Sequence, residues 1–338
     1  KMKLNFLINK KFIYIDFLQS LINWSSTSFN YYSYKYYEQK FGNHPTDKEI
    51  KAMHDLYIFL KESSKTIYRS EKIKTKVLST YASKWIWSFY DENKIIEDQN
   101  ELNIYNNLIN AFSNKLDIIW GEEYDNLNYW KEFLEKYDFS VFDNFMTKLN
   151  IFFNTKVEIN EINVYLIFNF NKNFVSGYSS QLIPDKIKIG LNSLDKNRYE
   201  CIISTIIHEI IHSNFESQSK LFYKHCLYID YTFDENYKKE IKKKYPKIYF
   251  IPHIIEIIFN TLSTGCLDVS YIGKKYFKDS LSKYDHNVFF NSNNGLSSLI
   301  YRSSDSLYPY TEKYIENNKK IDKRYINKAI DISIHNLI

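Results

Sequence analysis

The 338-residue chain carries 45 Lys and Arg against 40 Asp and Glu, a formal net charge of +5, and this excess is spread thinly, so nucleic-acid binding is not expected. Only 7 glycines and 5 prolines are present, too few for a chain built of tight turns, and long helices are expected. The three cysteines, Cys201, Cys226 and Cys266, are odd in number and widely spaced, so neither a disulfide framework nor a CxxC metal knuckle is expected.

At the N-terminus, Met2-Lys3 reads as a native start, and the short apolar run that follows is broken by Lys10, Lys11 and Asp16, which makes a poor signal peptide. No stretch reaches the roughly 18 apolar residues of a membrane span. A cytoplasmic protein is expected, with a secreted one the alternative if a leader has been removed. Residues 1–154 read as a helical N-terminal domain, with helices over 47–63, 75–90, 101–120, 122–137 and 141–153 from their apolar periodicity. The turn 43–47 can cap the first of these. His44 and His54 have no metal-ligand partner nearby in sequence and read as structural.

The character changes near residue 155. Segments 156–159 and 163–169 are β-like, and Lys186, Ile187, Lys188, Ile189, Gly190 and Leu191 alternate as a strand. A helix follows that contains His208-Glu209-Ile210-Ile211-His212, a complete HExxH. On a helix the two histidines lie about 40° apart and one turn apart along the axis, so both imidazoles reach one metal ion. Glu209 lies on the same side, where its carboxylate can reach a metal-bound water. Ile202, Ile203, Ile206, Ile207, Ile210 and Ile211 fill the opposite half of the wheel and must be buried.

This order of strands and then an HExxH helix resembles the zincin metallopeptidases. The resemblance implies an α+β, predominantly helical chain. A zincin-like catalytic core over 155–270, with a small mixed sheet packed on the active-site helix, is followed by a helical C-terminal part over 271–338. It also implies an edge strand that pairs with extended substrate, for which residues 186–191 are the candidate. One Zn²⁺ per chain is expected, with three protein ligands and an open position.

Two histidines leave one ligand to find. The segment after His212 lacks the Gly and third His of the metzincin pattern. In the apolar stretch 251–264, Pro252 suits a first helical turn, and His253, Glu256, Asn260, Ser263 and Thr264 share one stripe of the wheel. An ionised carboxylate among isoleucines is costly unless paired or metal-bound, which makes Glu256 the leading third ligand. His253, Glu216 and Asp268 are alternatives. The arrangement resembles the gluzincin branch, in which a residue one turn after that Glu supports a zinc-bound histidine. Here that residue is Asn260, a neutral substitute for the usual Asp.

The resemblance implies peptide-bond hydrolysis, with Glu209 as general base and acid, on a peptide or protein substrate, and an endopeptidase or oligopeptidase rather than an aminopeptidase. An oxyanion-stabilising side chain is sought among Tyr271, His286, Tyr301 and Arg302, with Tyr301 preferred. The competing reading is a non-catalytic zincin-like or helical binding protein whose HExxH is structural or accidental. The lysine-rich run 238–247 reads as the solvated face of a helix, and no internal repeat, P-loop or dinucleotide fingerprint is present.

Overall fold

The computed structural model describes residues 2–22, 29–42, 44–67, 99–170, 175–179, 184–191, 199–216, 218–222, 224–225, 235–245, 250–264, 271–276 and 296–337. These residues are predominantly helical, with a small mixed four-stranded sheet. The expected helix over 75–90 lies outside the described residues. The chain divides into two compact units that interleave in sequence. One comprises Lys1–Leu4, Asp138–Ile162 and Asp195–Ile338, and the other Asn5–Tyr137 and Asn163–Leu194. Most of the sheet groups with the N-terminal helices.

The sheet-bearing unit holds the greater part of strands β1 (Lys3–Leu7), β2 (Glu161–Phe168), β3 (Ser176–Ser179) and β4 (Lys186–Leu191), in the order β1-β2-β4-β3. β1 falls where a wholly helical segment was expected, because a five-residue strand is too short to show its period above a helical background. β4 runs parallel to β2, with Val164 opposite Ile187 and Leu166 opposite Ile189, and antiparallel to β3. Residues 186–191 are therefore an interior strand, and the expectation of a substrate-pairing edge there is corrected. The misleading signal is Lys188. Its alternation with isoleucines suggests a half-exposed strand, but Lys188 is buried, ion-paired to Asp16 and set 5.0 Å from the Tyr178 ring centroid. A paired, buried lysine satisfies the same pattern as an exposed one.

The helices of this unit are α1 (Lys10–Leu21), α2 (Phe29–Phe41), α3 (Asp47–Ile67) and α4 (Gln99–Lys136). Thr46 and Glu49 form a reciprocal capping box at the start of α3, the Thr46 N–H donating to Glu49 Oε2 (2.8 Å) and the Glu49 N–H to Thr46 Oγ1 (3.3 Å). Glu49 also accepts from Lys115 of α4, which donates to the Tyr37 hydroxyl of α2 as well, so one buried carboxylate ties three helices. α4 is a single helix of 38 residues, where two helices meeting at Gly121 were expected. Its apolar stripe of Tyr105, Leu108, Phe112, Leu116, Ile119, Leu127, Trp130 and Leu134 is buried throughout, and that burial outweighs the roughly 1 kcal/mol that one glycine costs a helix.

The second unit contains α5 (Asp143–Phe153), α6 (Tyr199–Ile210) continuing into a π-helical segment (Ile211–Glu216), α7 (Glu235–Lys244), α8 (Phe250–Leu262), α9 (Leu296–Glu316) and α10 (Lys323–His335). α5 ends at Asn154 in the left-handed region, φ 52°. The strand expected at 156–159 does not form, because the Asn150 side chain takes both the N–H and the carbonyl of Val157 and leaves nothing for a ladder. α8 is the hub. It packs on α6, α9 and α10, and its Phe259 joins Phe153, Phe215 and Phe222 in an aromatic cluster with ring centroids 5.4–5.6 Å apart. No helix among the described residues is long and apolar enough to cross a membrane.

Gly121 lies within α4 with nothing within 4 Å of a Cβ built on it. Gly121→Ala is expected to raise the unfolding free energy by about 0.5–1 kcal/mol in chemical denaturation. A fall in stability would mean that the helix needs glycine at that point.

Candidate metal centre

The HExxH helix is buried over its whole surface rather than on one face. Every residue of α6 from Cys201 to Ile210 is buried, including His208 (7 % exposed) and Glu209 (8 %). The polar residues upstream of the motif turn inward onto the helix backbone, Thr205 Oγ1 donating to the Cys201 carbonyl at 2.8 Å and Ser204 Oγ to the same oxygen at 3.1 Å. Cys201 is disulfide-bonded.

α8 closes over this helix from its own C-terminal end. Ser263 Oγ donates to the Ser204 carbonyl (2.8 Å), and the Ser263 carbonyl lies 2.7 Å from His208 Nδ1. A carbonyl can only accept, so Nδ1 of His208 carries the proton and Nε2 is left with its lone pair. His212 has its Nδ1 2.9 Å from Glu216 Oε2, an acceptor that fixes the same tautomer. The Phe259 ring packs on the His212 imidazole at a centroid distance of 4.4 Å. Both Nε2 atoms thus face one point from fixed directions.

Glu256 of α8 faces the same point. His208 Nε2 and His212 Nε2 are 3.1 Å apart, Glu256 Oε1 is 3.2 Å from His212 Nε2, and Glu256 Oε2 is 3.6 Å from His208 Nε2. Zinc bonds of about 2.0–2.1 Å in tetrahedral geometry would hold ligand atoms about 3.3 Å apart. The three observed separations bracket that value. His208, His212 and Glu256 could therefore hold a metal ion. The Glu256 side chain keeps 38 % exposure, so the group is open on that side. Glu209, next to the first ligand in sequence, has no hydrogen bond or ion pair to its carboxylate among the described residues.

Electrostatics agree with the geometry. Burial alone would favour neutral imidazole at His212, but the Glu256 and Glu216 carboxylates outweigh it and hold His212 well above its ordinary range. Burial would likewise raise Glu256, yet His212 and His208 pull its carboxyl far below the usual carboxylate range. Without metal, a proton on His212 occupies the role of the cation.

The other sequence candidates fall elsewhere. His253 points to α10, its Nε2 2.9 Å from Ser333 Oγ, and burial pushes its imidazole down to about 4. Asn260 was expected to support a ligand histidine, but its amide donates to the Glu256 carbonyl at 2.7 Å. The imidazole partners are Ser263 and Glu216 instead. Tyr271 is buried and donates to Glu200 Oε1 at 3.1 Å. Tyr301 is half-buried on α9 and Arg302 is exposed. Asp268 and His286 lie outside the described residues. The Ser263 carbonyl leaves no trace in a sequence, since any residue supplies one. The Glu216 contact was signalled by its position four residues after His212 on the helix.

No protein-family model, curated protein or solved structure matches the chain.

Metal ligands must be deprotonated. With His212 raised as described, zinc binding near pH 7 is expected to release about one proton. Isothermal titration in two buffers of different ionisation enthalpy measures this directly. Because that proton competes with the metal, zinc affinity should weaken as pH falls from 8 to 5. Binding without proton release would contradict the His212–Glu256 arrangement.

Proposed function

We propose that this chain is a zinc-dependent metallopeptidase of the zincin type, with the gluzincin-like ligand set His208, His212 and Glu256. The observation that carries this reading is the convergence of two Nε2 atoms, each with its Nδ1 already committed to an acceptor, on one carboxylate at tetrahedral spacing. Histidine with carboxylate is a donor set suited to zinc. A bound zinc would supply a water of lowered pKa and a Lewis acid for the substrate carbonyl.

The chain's own residues do the rest. Glu209, beside the first ligand in sequence, is buried, and among the described residues its carboxylate has no partner, which suits a group that takes a proton at Oε from the attacking water and returns it to the leaving amine nitrogen. The exposed side of Glu256 is where a peptide carbonyl would approach. A purely structural site would use four protein ligands and close that side. Tyr301 is the candidate donor to the developing oxyanion. In its support, Ser304, one turn further along α9, donates to the carbonyl of Ile257, the residue after Glu256.

Glu209→Gln keeps size and burial but removes the proton acceptor. Zinc binding is expected to persist, while cleavage of a mixed peptide library falls by at least about 10²-fold. Cleavage undiminished in this variant would remove Glu209 from the mechanism. A zinc-loaded parent that cleaves no peptide would favour a binding protein.

A further inference from the structure

The two ligand histidines are supported unequally. His208 Nδ1–H donates to a neutral backbone carbonyl, whereas His212 Nδ1 meets a carboxylate from its own chain segment, Glu216. Both members of this second pair are largely enclosed, with side-chain exposures of 16 % and 11 %, so water screens their interaction little. The pair sits in the π-helical segment that replaces the α-helix from Ile211, within the HExxH motif, to Glu216. Single-turn π segments of this kind recur at functional sites. The segment is anchored from the core, since Phe215 stands in the aromatic cluster with Phe153 and is fully buried. The Glu216 backbone is thereby held in place beside the metal group.

We infer that Glu216 is a positioning residue for the metal centre, a carboxylate that orients His212, fixes its Nε2 lone pair toward the metal and strengthens it as a ligand. This rests on the metal-site reading above. A carboxylate accepting from imidazole N–H raises the basicity of the opposite nitrogen more than a neutral acceptor does. His212 is then the stronger of the two imidazole donors, and Glu216 adds a negative charge just behind the ligand set. The support expected from α8 at Asn260 is supplied instead by the HExxH helix's own continuation.

The test compares zinc affinity in the parent, Glu216→Gln, Glu216→Ala and Glu256→Ala proteins by competition with a chromophoric chelator. The cobalt(II) spectrum of each variant and its far-ultraviolet circular dichroism are recorded alongside. The amide oxygen of the Gln variant can still accept from Nδ1–H, so affinity should fall in the order parent, Gln, Ala. The Ala variant is expected to lose about 10–100-fold while keeping the parent's helicity and four-coordinate cobalt spectrum. A Glu216→Ala protein that binds zinc within about twofold of the parent would overturn the inference and leave the metal site standing. Complete loss of zinc in Glu216→Ala with retention in Glu256→Ala would make Glu216 a ligand and overturn it too. A parent that takes up no zinc would overturn both the inference and the metal reading beneath it.

Discussion

Two imidazole lone pairs and a carboxylate that face one another across little more than 3 Å repel unless something positive lies among them. In a buried setting, water screens that repulsion poorly. A proton on His212 relieves part of it, and a divalent cation would relieve all of it. The rest of this unit is arranged so that the two imidazoles cannot turn away. Ser263 holds one ring by its Nδ1, Glu216 holds the other, and Phe259 packs against the second ring at a tilt. Such fixed orientation distinguishes a ligand set from histidines that are merely buried.

That fixity depends on how α6 and α8 are joined. Ser263 makes two contacts at once, its hydroxyl to the Ser204 carbonyl and its own carbonyl to His208. The end of α8 is therefore stitched to α6 one turn before the motif. Phe259 belongs both to the aromatic cluster and to the His212 contact, so the packing that stabilises the unit also sets the ring. The same helix that presents Glu256 thus positions both histidines.

The local chemistry was legible in the sequence, and the pairing order of the strands was not. HExxH fixes its own spacing on a helix, and a carboxylate in the isoleucine-rich stretch around Glu256 has few affordable states, so the three residues that converge could be named from periodicity and desolvation. Glu216 was within reach as well, since i and i+4 share a helical face, although it was weighed as a ligand rather than as a partner of the imidazole. The Ser263 carbonyl could not be read, because backbone acceptors carry no residue identity. Lys188 misled because a buried ion pair and an exposed lysine leave the same letter, and the strand that contains it proved interior. The division into two interleaved units depends on contacts between residues far apart in sequence, which periodicity does not encode. Gly121 failed as a stop because a glycine without a partner breaking signal costs a helix less than its buried stripe returns.

The central claim is that His208, His212 and Glu256 hold one zinc ion. Elemental analysis of the purified protein, side by side with His208→Ala and Glu256→Ala, tests it most directly. The account predicts about one zinc per chain in the parent and loss of zinc in both variants. A parent that stays metal-free when zinc is supplied, or a Glu256→Ala protein that retains its zinc undiminished, would contradict it.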